Sequence, residues 1–81
     1  MNFNAYEETI LNLLSGRERG KTICPSEVLG GPDKKDPAKM EQVRAAARRL
    51  EARGIIEITQ RGQAIDSAQI KGPIRLRFPV P

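Results

Sequence analysis

Between Asp36 and Arg53 the apolar residues return at helical spacing. Met40, Val43, Ala47 and Leu50 fall three or four positions apart, and Ala46 widens the stripe they make. That period predicts a helix over 36–53 with one face to bury. Its ends agree with it. Asp36 can cap the first turn, Pro37 suits the first helical position because its missing N–H would have no partner there, and Gly54 supplies the left-handed residue that closes a helix. Projected at about 100° per residue, the opposite face carries Ala38, Glu41, Gln42, Ala45, Arg48, Arg49 and Ala52.

Upstream, Tyr6, Ile10, Leu13 and Leu14 sit at helical spacing in AYEETILNLLS, which predicts a first helix over 5–15 that stops at Gly16. RERGK reads as a charged turn, and Thr22-Ile23 is a β-prone pair with room for only a very short strand. In CPSEVLGG, Pro25 at a helix start and Gly30-Gly31 as a stop frame one to two turns of helix, with Val28 and Leu29 as buried candidates. GGPDKK is the most loop-like stretch and is longer than the connection of a compact helix-turn-helix. Either the two helices meet at a looser angle, or the long helix begins before Asp36.

After Gly54 the period changes to alternation. Ile56 and Ile58 share one face and Glu57 and Thr59 the other, which predicts a strand over 55–60. Arg61-Gly62 is a turn with Gly62 available for a positive φ, and GQAI allows a return strand over 63–65. DSAQI, residues 66–70, reads as one short turn of helix or an irregular loop. PIRLRFPVP alternates most cleanly, with Ile74, Leu76 and Phe78 inward and Arg75 and Arg77 outward. It is the expected closing strand, ended by Pro79 and Pro81. The order of elements predicts an α+β fold, a winged helix-turn-helix of three helices with a small antiparallel sheet and wing, as one domain over 1–81. In that architecture the third helix enters the major groove and the hairpin wing reaches an adjacent groove or the backbone.

Composition narrows the partners. The 81 residues carry a net charge of +4 and a pI of about 9.7, but the charge is uneven. Residues 1–36 sum to −1 and residues 37–81 to +5, which favours a polyanion-facing surface in the second half. With 38% hydrophobic residues, a core of this size supplies only about 3–5 kcal/mol. Cys24 is the only cysteine, so no intramolecular disulfide forms and a reducing cytoplasm is the expected location. No stretch approaches the ~18 apolar residues that span a bilayer. MNFNAYEETI has no signal-type pattern, so a soluble, unprocessed chain is expected.

Enzymatic chemistry lacks its parts. There is no histidine, hence no Ser-His or Cys-His pair and no His/Cys zinc cluster. GRERGK, with Gly16, Gly20 and Lys21-Thr22, is one residue short of a phosphate-binding loop, and nothing sets Glu57 and Asp66 in a shared cleft. Cys24 before Pro25 falls at a helix N-terminus that can lower a thiol pKa. Without a base beside it, the reading as a small buried hydrophobe is preferred. No catalysis, cofactor, metal, membrane or small-molecule substrate is expected.

GKTICPSEV, VRAAARRLEARGIIEITQRGQ and KGPIRLRFP together resemble the small bacterial family catalogued as domain of unknown function 3253, a winged-helix-like domain. The resemblance covers nearly the whole chain. It implies a fold and no established biochemical role.

For function the residues leave two readings. Gln42, Arg44, Arg48, Arg49 and Arg53 lie on or beside the outer face of the long helix, and Arg61 marks the wing tip. These six form the candidate nucleic-acid-binding set, with double-stranded DNA as the partner. Gln42, Arg48 and Arg49 are the candidate base readers. Arg75 and Arg77 on the last strand, and Lys34 and Lys35 before a helix N-terminus, are phosphate candidates. Aromatic content is 4%, and Tyr6 and Phe78 are assigned to the core, which disfavours single-strand stacking. Glu41 and Glu51 near the same face count against DNA. The alternative is a protein-protein interaction module on the same scaffold, its Ala-rich helix face packing on a protein partner or a second copy of the chain.

Overall fold

Asn4 starts the first helix by a reciprocal pair of bonds. Its side-chain oxygen accepts the Glu7 N–H at 2.8 Å while the Glu7 carboxylate accepts the Asn4 N–H at 3.0 Å. The computed structural model describes residues 3–18, 20–65 and 72–79. Helix α1 runs over Ala5–Ser15, as its period predicts, and buries Ile10 and Leu14.

The short helix expected between the other two is not an α-helix. Pro25–Val28 winds as a 3-10 turn, and Gly31–Lys35, which reads as loop, forms a second one. The fold is therefore α+β with two α-helices rather than three among the described residues. Between Cys24 and the Gly30-Gly31-Pro32 stop there are too few residues to repay the cost of nucleating an α-helix, and the tighter turn suits so short a run. Asp36, in extended conformation, separates the second turn from α2, which begins at Pro37 and not earlier. The Asp36 carboxylate accepts the N–H groups of Ala38 and Lys39 at 2.9 and 3.2 Å, so the cap read from sequence is present.

Helix α2, Pro37–Ala52, buries Val43, Ala46, Ala47 and Leu50, all with no exposed surface, while Met40 is half-buried. Gly54 at φ +74° ends it. The Gly54 N–H bonds to Glu51 and the Ile55 N–H reaches back to Leu50, the Schellman pattern that needs a left-handed residue at this point.

The sheet is antiparallel, in the order β2-β1-β3, from β1 Glu57–Gln60, β2 Gln63–Ala64 and β3 Arg75–Arg77. Each strand is shorter than its alternation predicts. Ile23 makes a single bridge to Leu76 through two 2.8 Å bonds instead of a strand, and so covers one residue of the outer edge of β3. Ile58 and Leu76 are paired across β1 and β3 and fully buried. Thr59, expected outward, is also buried, with its hydroxyl satisfied by donating to the Arg75 carbonyl at 3.2 Å. Phe78, expected inward, is half-buried against the core just past β3. Ile10, Leu14, Ile23, Leu50, Ile56, Ile58, Ile74 and Leu76 form one cluster under α1, α2 and the sheet. The alternatives for DSAQI lie outside the described residues.

Candidate nucleic-acid interface

The six candidates separate into two groups according to what holds each side chain. Arg49 points toward α1, where its Nε lies 3.7 Å from the Glu7 carboxylate. The Glu7 side chain is only 8% exposed and already caps α1. Arg53, one turn further on, lies over the ring of Phe3, just before the Asn4 cap of α1, at 5.1 Å, a cation–π contact at the end of α2. Both cations therefore meet groups at the N-terminal end of α1.

Arg44 on the other flank donates from Nη2 to the Gly72 carbonyl at 3.1 Å, and the neighbouring Pro73 carbonyl accepts from Gln60 at the end of β1 at 3.2 Å. Through Gly72-Pro73, the Arg44 flank of α2 is tied to the β1–β2 hairpin.

Gln42 and Arg48 remain on the outer face. Gln42 is exposed, and Arg48 is half-buried with its Nη2 donating to Glu41 at 2.6 Å. Arg61 at the hairpin tip is exposed, at φ +55° beside Gly62 at φ +82°. Two successive positive φ values make the tight turn whose twist matches that of the strands, and an arginine in the first position is unfavourable there. Arg61, Lys34 and Lys35 are exposed and make no ion pair or side-chain hydrogen bond with any described residue.

The arginines of β3 are committed elsewhere. Arg77 pairs with Glu57 opposite it at 2.9 Å. The Arg75 guanidinium, exposed on the sheet, donates to the hydroxyl and carbonyl of Thr22 and to the Cys24 sulfur. Cys24, half-buried, stands at the N-cap position of the first 3-10 turn, as its position before Pro25 predicts. Its N–H donates to the Glu27 carboxylate at 2.6 Å, and that carboxylate also takes Arg17 at 3.0 Å. The Cys24 N–H holds the Glu27 carboxyl below the ordinary range against a partial burial that opposes it, with Arg17 and Arg75 assisting. This hub of Arg75, Thr22, Cys24 and Glu27 was not readable from spacing, since its members lie up to 53 residues apart.

A shallow depression beside the hairpin is bordered by Gln60, Arg61, Ile65, Gly72 and Arg75. No three His, Cys, Asp or Glu side chains gather among the described residues. No described helix is long and apolar enough to cross a membrane.

The family described as "Protein of unknown function (DUF3253)" matches residues 4–79. The chain belongs to this family. The DUF3253 match spans both α-helices, the sheet and all six candidate residues, and it includes the Cys24 hub. No curated protein matches the chain.

Proposed function

We propose that this chain is a winged-helix domain that binds duplex DNA, with α2 as the recognition helix and the β1–β2 hairpin as the wing. The observation that carries the reading is the tie from Arg44 through Gly72-Pro73 to Gln60. It sets the hairpin bearing Arg61 beside the flank of α2 next to Arg48. A helix and an adjoining hairpin tip, each presenting a cation, suit a groove and its neighbouring backbone.

Within this reading Gln42 and Arg48 face the bases, while Arg61, Lys34 and Lys35 contact phosphate. Like Lys21, these three are exposed cations with no ion pair or side-chain hydrogen bond to any described residue. Arg49 and Arg53 leave the contact set, because Glu7 and Phe3 hold them. Arg44 positions the hairpin instead of touching DNA. Strain at Arg61 supports the reading from a second side, since a residue kept in an unfavourable conformation at an exposed tip points to a role outside the fold.

The test is fluorescence anisotropy with a mixed-sequence duplex at low and at physiological salt. The expected result is binding that weakens steeply with salt. Alanine at Arg61, Lys34 and Lys35 together should flatten the slope by about three phosphate contacts. A slope unchanged in the triple variant would remove these residues from the interface. Dimerisation or partner capture that persists at high salt, without duplex binding, would favour the protein-interaction module.

A further inference from the structure

We propose that Glu41 is a positioning residue that holds Arg48 for reading guanine in a G·C pair. The inference rests on the duplex-DNA reading above. Arg48 lies two turns after Glu41 on the outer face of α2, about 10.5 Å along the axis. Its side chain must lie back toward the helix start to make the 2.6 Å contact from Nη2 to Oε1. Between them sits Ala45, whose methyl leaves the path of the guanidinium clear. Arg44, Arg49 and the C-cap Arg53 meet Gly72, Glu7 and Phe3, whereas the Arg48 guanidinium lies along the outer face.

The geometry matches one base pair better than the others. A carboxylate that takes one N–H of a guanidinium leaves the rest of its planar donor fork free, and guanine alone offers two adjacent acceptors, N7 and O6, in the major groove. Cytosine, across the pair, offers an amino donor that a carboxylate can accept. Glu41 also repels phosphate and offsets the charge of Arg48. The middle of the helix face is thus close to neutral, while Lys34, Lys35 and Arg61 at its margins keep their charge. The glutamate that weakens non-specific attraction is the one that makes the arginine selective.

Selection from a randomised duplex pool tests this, run with the natural chain, Glu41→Ala and Arg48→Lys, alongside total affinity for the unselected pool. The natural chain is expected to enrich a G·C pair at one position about tenfold or more, within the range for a bidentate contact. Glu41→Ala should bind the unselected pool at least as tightly, having lost a negative charge, yet lose that enrichment. Arg48→Lys should keep salt-sensitive binding and lose it too. Equal enrichment in Glu41→Ala would overturn the positioning role. Binding by the natural chain with no base preference would overturn the inference and leave the DNA reading standing. No duplex binding at low salt would overturn both.

Discussion

Arg48 and Arg49 are adjacent, of one type and on one helix, and the fold uses them in opposite ways. Arg49 faces α1 and meets a carboxylate that is nearly buried, so its charge compensates an interior group. Arg48 faces outward and meets Glu41, whose side chain is 63% exposed, so its charge is balanced at the surface and remains open to exchange. The 100° step between successive helical positions makes the difference. A cluster of cations in a sequence is therefore not yet a binding surface. Only those on the flank away from other elements can leave their partners for a polyanion.

The sharpest way to break the comparison is to reverse each charge in turn. Arg49→Glu sets a second carboxylate against Glu7 and is expected to destabilise the fold by about 1–2 kcal/mol, less than the loss of a fully buried pair because Arg49 is partly exposed. Arg48→Glu should cost no more than about 0.5 kcal/mol, as exposed pairs do, while abolishing duplex binding. Chemical denaturation of the two variants checks both, and equal losses would erase the distinction. A smaller effect of opposite sign is expected at the hairpin. Arg61→Asn relieves the left-handed strain and should stabilise the fold by about 0.5–1 kcal/mol while weakening DNA binding, a trade that a purely structural Arg61 would not show.

The smallest effect concerns acid. Glu27 has a folded pKa below its unfolded one, so its contribution is fully present above the unfolded carboxylate range and is lost as pH falls through the lowered folded value. Glu27→Gln should therefore show a shallower loss of the urea midpoint between about pH 6 and pH 3 than the natural chain. An identical acid limb would remove Glu27 from the account.

Local order was readable where short-range chemistry decides it. Asp36 caps α2 and Gly54 closes it, and the Arg61-Gly62 turn joins two strands, all through contacts within a few residues. The Pro25 and GGPDKK segments defeated the reading because one turn carries too little periodicity to separate 3-10 from α or loop. The partners of the candidate residues were not legible in the sequence. Arg49 and Arg53 find Glu7 and Phe3 tens of residues earlier, and Arg44 finds a backbone carbonyl 28 positions later. No spacing rule within one helix reveals such partners. Thr59 was misassigned for the same reason, since its hydroxyl is satisfied by a neighbouring strand.

Chemical-shift mapping of the labelled chain, titrated with a mixed-sequence duplex at two salt concentrations, tests the division between the two flanks of α2 most directly. Salt-sensitive shifts are expected at Lys34, Lys35, Gln42, Arg48, Arg61 and Gly62, with Arg49, Arg53 and α1 unmoved. Shifts centred on Arg49, Arg53 and Glu7 would contradict that division.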